Sequence, residues 1–170
     1  MAMFPFYHAM SETAKNMVGL EFSDDQRDKF RYGKLAEEWF TRFPQIFDED
    51  DLRLAKSQPL NHFCEWLSAV VIFETTGWLS LIEKYQFRNH QRKQKVLNSL
   101  ITNEEREAFD SIGAQLPDLL IYKSDFSRWE FREVKGPGDV LRPEQIIQFE
   151  RLESRLGKQV KYIRLTMMNL

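Results

Sequence analysis

Charged residues stand at the ends of two apolar segments in residues 116–139, "LPDLLIYKSDFSRWEFREVKGPGD". Asp118 precedes the first apolar segment, and Glu133 and Lys135 close the second. Charged groups beside a core are costly unless they pair with one another or bind an ion. Hard divalent cations prefer carboxylate oxygens, and a nearby amine can position water or hold a phosphate. The three residue types therefore suit metal-assisted phosphodiester hydrolysis, and an ordinary salt bridge is the alternative.

A β-hairpin would bring these side chains together. "DLLIYK" and "RWEFREVK" alternate as strands do, with a turn between them that we centre on Asp125 and Phe126. Opposed residues share one face of an antiparallel pair, with Cβ atoms about 5 Å apart. Lys135 follows Glu133 on that face by alternation. The register pairs Asp118 with Glu133, Leu120 with Phe131, and Tyr122 with Trp129.

The loop "KGPGD" continues directly from the second strand. Gly136 and Gly138 would let the backbone approach a ligand closely, and Pro137 fixes the turn between them. A plain connection from strand to helix could use the same residues, so the loop by itself does not decide between the two interpretations.

The remaining elements predict a mixed α/β domain with helices in its first part. A capping box at Ser23 and Gln26 begins a helix that Pro44 stops. Asn61 and Gly77 cap a largely buried helix, and residues 78–101 read as one or two more helices, followed by a short one. Beyond the hairpin, a helix starts at Pro143 and ends at Gly157, and "QVKYIRLTMM" is a final strand.

Composition bounds the class of protein. The chain has 170 residues, is 42% hydrophobic and 29% charged, and carries a formal net charge of −2. These values fit one compact globular domain, and any nucleic-acid contact must use a local basic patch because the global field offers no attraction. The single cysteine, Cys64, excludes an internal disulfide and reads as core packing. No segment approaches the roughly 20 apolar residues of a membrane span.

The motif "PDLLIY…REVKGPGDVLRPEQ" closely resembles the VRR-NUC family of the PD-(D/E)xK nuclease superfamily. The match comprises PDL, then EVKGPGD, a leucine, and a glutamine on the next helix, over about the last third of the chain. The resemblance implies a PD-(D/E)xK restriction-endonuclease-like core, a mixed β-sheet flanked by helices, with an N-terminal helical extension. It also implies a Mg²⁺- or Mn²⁺-dependent DNA endonuclease that selects branched, flap or junction DNA. A catalytically silent DNA-binding or partner-binding module is the alternative.

The same resemblance assigns roles to individual residues. Asp118, Glu133 and the Val134 carbonyl would ligate the metal, Lys135 would be the catalytic lysine, and Gln145 would join the site from the following helix. The family also takes a glutamate from a helix before the sheet, for which Glu65 is our candidate. Weaker substitutes for Glu65 are Glu74 and Glu83, and His62 could join the site, although a histidine near a helix start more often serves the cap.

The chain departs from the family by its length before the core. We expect a helical extension at residues 1–58 and a nuclease core at 59–170 with a helical insertion around 78–112, together one compact domain. The extension could be a DNA-binding surface, a homodimer interface or a docking site for a protein partner. The expected setting is the cytoplasm of a bacterial or phage-infected cell, in DNA repair or a phage function. The residues predicted to contact DNA are Arg88, Arg92, Lys93, Lys95, Gly136 and Gly138; a solvated helix face would explain the basic cluster equally well.

Overall fold

A computed structural model describes residues 17–169 of the chain, except residues 84, 86–88 and 113–115. Within these described residues, helices pack around one mixed sheet. The helices are α1 (Asp24–Arg31), α2 (Lys34–Arg42), α3 (Glu49–Ser57), α4 (Phe63–Thr76), α5 (Gln91–Leu100), α6 (Asn103–Ile112) and α7 (Pro143–Leu156). The strands are β1 (Met17–Phe22), β2 (Leu79–Ile82), β3 (Leu119–Tyr122), β4 (Trp129–Lys135) and β5 (Val160–Met167).

The sheet has the strand order β1-β5-β4-β3-β2. Strands β2, β3 and β4 form an antiparallel series, and β5 runs parallel to both β4 and β1. Because parallel strands need a crossover connection, α7 carries the chain from the end of β4 back to the start of β5. This crossover places the first turn of α7 next to the end of β4, where Lys135 stands.

Each face of the sheet is covered by its own group of helices. One apolar cluster joins α1, α2, α3 and α4 to alternate residues of β3, β4 and β5, among them Leu119, Val134 and Ile163. The other cluster joins α5, α6 and α7 to the opposite face, including Leu120 and Phe131. The strict alternation of strand side chains makes both faces apolar, as expected of a sheet buried between helices.

Two local predictions are corrected by the structure, and one strand is added. The segment predicted to be helical after residue 78 begins instead with strand β2, which pairs with β3; a four-residue apolar run cannot be told from a buried helix segment by periodicity. The helix predicted from Ser23 to Pro44 divides into α1 and α2 because Gly33 adopts a left-handed φ of 79°. Residues Met17–Phe22 add strand β1, which was not anticipated.

The confirmed features include the helix signals. Ser23 accepts a hydrogen bond from the Gln26 amide and completes a capping box at α1. Helix α7 begins at Pro143 and is closed by Gly157 at a φ of 63°. Among the described residues, none of the helices combines the length and the apolar character that crossing a membrane requires. The division of the chain at residue 58 stays a prediction.

Candidate active site

The hairpin register is confirmed, and it brings two carboxylates to one end of the sheet. Leu120 lies opposite Phe131, and Tyr122 lies opposite Trp129. Just beyond the paired residues, Asp118 Oδ2 accepts a hydrogen bond of 2.8 Å from the Val134 amide. Glu133 Oε2 accepts one of 3.3 Å from the Asp118 amide. Each carboxylate is thus anchored to the strand that carries the other.

Lys135 and Gln145 surround the Glu133 carboxylate. The Lys135 Nζ donates a 2.7 Å hydrogen bond to Glu133 Oε1, and Gln145 Nε2 donates one of 3.0 Å to the same oxygen. Gln145 Oε1 accepts from Lys135 Nζ at 3.4 Å and from the Arg142 amide at 3.2 Å, so the amide is oriented by the first turn of α7. Glu133 is 2% exposed and Lys135 is 9% exposed, which keeps this cluster largely out of water.

Glu65 joins the cluster from α4. Burial, reinforced by the charge of Glu83, raises the pKa of Glu65 from its ordinary value of 4.5 to about 7. The pKa of Asp118 is also raised well above its ordinary value, by burial first and then by the charges of Glu133 and Glu65. These mutual effects place the Glu65 and Asp118 carboxyl groups in one poorly solvated region of the protein. Of the candidate glutamates, Glu74 lies elsewhere, in a salt bridge with Arg42 at 2.9 Å.

His62 and Glu83 stand beside Glu65. His62 occupies the N-cap position of α4 in place of the predicted Asn61, but its side chain makes no capping bond. Its Nδ1 lies 2.9 Å from Glu83 Oε2 instead. Ligand atoms of His62, Glu65 and Glu83 all lie within 4.8 Å of one another. The signal that sequence reasoning underweighted is "LSLIE": an apolar strand followed at once by a carboxylate, as in the second strand of the hairpin.

The donor set suits a divalent cation. The carboxyl groups of Glu65, Asp118 and Glu133, from a helix and the two hairpin segments, influence one another electrostatically, and hard cations such as Mg²⁺ and Mn²⁺ bind such oxygens. Burial of several like charges is unfavourable, as the raised pKa values of Glu65 and Asp118 record. A bound cation would remove that conflict, and a single salt bridge from Lys135 does not neutralise three carboxylates.

Glycine is favoured at positions 136 and 138 of the loop after β4 for two different physical reasons. A Cβ on Gly136 would lie 3.2 Å from both the Asp139 carboxylate and the Cys64 Sγ, and the Gly136 amide donates to Asp139 Oδ2 at 2.9 Å. Gly138 has a φ of 81°, which favours glycine, and open space around it. Cys64 therefore packs against the loop, and burial raises the pKa of its thiol to about 12, away from nucleophilic use.

In the basic cluster of residues 88–95, two side chains bind acidic groups within the protein. Arg92 donates to Asp48 Oδ2 at 2.9 Å and to the Ile46 carbonyl at 2.6 Å. Lys93 is 2% exposed and forms a 2.6 Å ion pair with Asp51, so its ammonium is not displayed on a surface. Lys95 is exposed, and Arg88 lies outside the described residues. DNA contact by this cluster remains a prediction, and two of its four members already serve the fold.

The VRR-NUC domain family model matches residues 72–164, which is more than half of the chain. The chain belongs to the VRR-NUC family. This confirms the resemblance recognised in the motif around Asp118 and Glu133. It also agrees with the mixed five-stranded sheet flanked by helices, so the expected PD-(D/E)xK-like core is confirmed. The match begins within α4, after Glu65, so Glu65 and His62 come from the part of the chain outside it.

A solved structure similar to this VRR-NUC chain is the crystal structure of paFAN1 bound to DNA with a two-nucleotide 5′ flap and a gap. The similarity covers 86% of this chain and 26% of that chain, at 19% sequence identity and a TM-score of 0.40. The VRR-NUC chain thus spans about a quarter of that protein. No match was found among curated proteins.

Proposed function

We propose that this VRR-NUC chain is a divalent-metal-dependent endonuclease that hydrolyses phosphodiester bonds of DNA and selects branched or flapped structures. The observation that carries the proposal is the convergence of Asp118, Glu133 and Lys135 at one end of a hairpin whose register holds them there. Family membership supports it, because VRR-NUC proteins are nucleases. The DNA in the similar paFAN1 crystal belongs to that protein, and selection of DNA structure by this chain is part of the proposal.

The proposed metal ligands are Asp118, Glu133, Glu65 and the backbone carbonyl of Val134. A bound Mg²⁺ or Mn²⁺ would supply acidity to water and stabilise negative charge on a phosphoryl oxygen. The protein side chains hold their positions beforehand: the Val134 amide fixes Asp118, and the Asp118 amide fixes Glu133. Such preorganised dipoles and charges need little rearrangement when the reaction proceeds.

Lys135 and Gln145 act on the reacting groups in this proposal. The Lys135 ammonium now donates to Glu133, and it can turn toward an incoming phosphate or toward the attacking water. Gln145 has one amide edge on Glu133 and the other on Lys135, so it restricts where the ammonium points. Loss of Gln145 should therefore misplace Lys135 and leave the sheet unaffected.

A direct experiment incubates the purified chain with linear, nicked, flap and four-way DNA in Mg²⁺, Mn²⁺ or EDTA. We expect metal-dependent cutting that is lost in Lys135→Ala and Glu133→Ala, since removal of a group that acts in the transition state lowers kcat by about two orders of magnitude or more. Gln145→Ala should cut more slowly with an unchanged circular dichroism spectrum. Binding of DNA without cutting, unaltered in all three variants, would contradict the proposal and favour a silent binding module.

A further inference from the structure

A cleft of about 600 Å³ opens beside the candidate active site. Glu65, Glu83, Val134 and Gly136 line one side of it, so it leads directly to the proposed metal ligands. Its other walls come from α1 and from the loop before α4, both of which precede the region matched by the family model. The cleft therefore joins the nuclease motif to a part of this chain for which the match implies no function.

The cations of the cleft come from α1. Two arginines, Arg27 and Arg31, line the cleft, and none of its other described lining residues is an arginine or a lysine. They stand four residues apart and share one face of the helix. Both are exposed, and Arg27 is paired at 2.6 Å with the exposed Asp24. A surface ion pair of this kind contributes little, so a phosphate can replace Asp24 at small cost.

Because carboxylates also line the cleft, a polyanion can bind there only if the two arginines offset their negative charge. Asp28, Glu65, Glu83 and Asp139 all line the same space. A nucleic-acid strand approaching them is repelled unless cations lie along its path. The proposed metal compensates at the scissile phosphate, and Arg27 and Arg31 would compensate at the phosphates beside it.

The shape of the cleft favours a single strand. A space of this volume accommodates a ligand of nucleotide size, and a base-paired duplex is far larger. Its wall is also partly apolar, formed by Pro59, Leu60, Phe63 and Pro137. Leu60 is 73% exposed, which presents an apolar contact for an unpaired base or a sugar.

We propose that the cleft holds an unpaired stretch of the DNA substrate, with Arg27 and Arg31 contacting the phosphates next to the scissile one. The inference rests on the proposed nuclease function and specifies its substrate as a strand that is single at the site of cutting. It makes α1 a substrate-binding element and gives the two arginines a part in specificity, without a part in the chemistry.

The test compares Arg27→Ala/Arg31→Ala with its parent, both carrying Lys135→Ala so that DNA is bound in Mg²⁺ without being cut. Fluorescence anisotropy measures binding of a short oligothymidylate and of a blunt duplex over a range of salt concentrations. We expect the parent to bind oligothymidylate more tightly than duplex. The double variant should weaken oligothymidylate binding and reduce the slope of log K against log salt by about 1.4, since each phosphate contact on a single strand contributes about 0.7.

The matched control is Arg53→Ala/Lys56→Ala on α3, which removes the same charge from side chains that are 78% and 50% exposed and do not line the cleft. It should bind like the parent. The proposal would be overturned if the Arg27→Ala/Arg31→Ala variant showed the same salt slope as this control. It would also be overturned if the variant lost equal affinity for duplex and for oligothymidylate. DNA cutting by the chain with native Lys135 reports separately on the nuclease function. Failure of the nuclease proposal can therefore be distinguished from failure of the proposal about the cleft.

Discussion

The Glu133 carboxylate receives hydrogen bonds from three groups: the Lys135 ammonium, the Gln145 amide and the Asp118 backbone amide. Its orientation is therefore set before any ligand arrives. Asp118 and Glu65 are in an unfavourable electrostatic environment, because burial and neighbouring carboxylates raise their pKa values. In the proposed metal-dependent nuclease, such an arrangement lowers the stability of the metal-free protein and favours cation binding.

Asp118→Asn should stabilise the metal-free protein. The amide keeps an oxygen for the Val134 N–H and removes a carboxyl group whose charged form burial disfavours, so we expect the free energy of unfolding near neutral pH to rise. Thermal unfolding in EDTA measures the gain, and the stabilisation by Mn²⁺ should shrink strongly in the same variant. The exposed Asp25→Asn is the control and should change neither value. A lower melting temperature for Asp118→Asn would contradict this account of the cluster.

The stability of the metal-free protein should depend on pH through Glu65. Its pKa rises from 4.5 to about 7 on folding, so the folded state binds this proton more tightly. The favourable contribution is complete below pH 4.5 and is lost as the pH rises through about 7. The loss amounts to roughly 3 kcal/mol, because each unit of pKa shift corresponds to about 1.4 kcal/mol.

Urea unfolding at a series of pH values in EDTA tests this dependence. We expect Glu65→Gln to flatten the curve over that interval, leaving the part that comes from Asp118, which shifts in the same direction. A wild-type protein whose stability increases between pH 5 and 7 would contradict the prediction, because it would require carboxylates with lowered pKa values to dominate.

At the scale of elements, the end of β2 and the start of α4 assemble His62, Glu65 and Glu83. A buried ion pair supports this arrangement: the Lys93 ammonium on α5 bonds Asp51 at 2.6 Å and the carbonyls of Ile82 and Glu83 at 2.6 and 3.1 Å. The same ammonium thus ties α3 and α5 to the turn that presents Glu83, which has a positive φ of 38°.

Lys93→Met should be strongly destabilising. Removing Lys93 leaves the buried Asp51 carboxylate with the more distant Arg92 guanidinium, 3.8 Å away, as its compensating charge, and loss of one partner of such a pair costs about 3–5 kcal/mol. Urea unfolding measures the loss, and Lys93→Met/Asp51→Asn should recover part of it because the uncompensated charge is then gone. Lys95→Met, on an exposed position of the same helix, is the control. Equal stability of the two methionine variants would exclude the supporting role of the ion pair.

At the scale of the whole molecule, residues 17–58 are built into the sheet and its core. Strand β1 pairs with β5 from Met17↔Tyr162 to Phe22↔Met167. Phe30 and Trp39 pack in edge and stacked geometry against Phe63 of α4. The division into an extension and a nuclease core is thus a proposal about function, and both parts share one apolar cluster.

A fragment of residues 59–170 should fail to fold cooperatively. The fragment lacks β1 and α1–α3, so the apolar face of α4 becomes exposed to water. This face includes Phe63, Trp66 and Leu67, which are at most 4% exposed in the full chain. Thermal unfolding followed by circular dichroism checks this, and the full chain is the control that should show a sharp transition. A cooperative transition in the fragment 59–170 would establish an independent nuclease domain.

The sequence by itself determined the hairpin register and the meeting of Asp118, Glu133 and Lys135, because a two-residue strand period and a nearby turn are local constraints. Gln145 came from the resemblance to the VRR-NUC family, which has a glutamine on the helix after the EVKGPGD motif. The tertiary structure decided the rest. Glu83 reached the site only because "LSLI" forms a strand beside β3, and a short apolar run does not specify its own partner.

The fate of the basic cluster and the position of α1 were also decided in three dimensions. Lys93 could be assigned to the interior only once Asp51, far away in sequence, was seen to pair with it. Arg27 and Arg31 faced the cleft because β1 and α4 fixed where α1 lies. Long-range pairing depends on which buried surfaces fit together, and residue types and spacing do not encode that information locally.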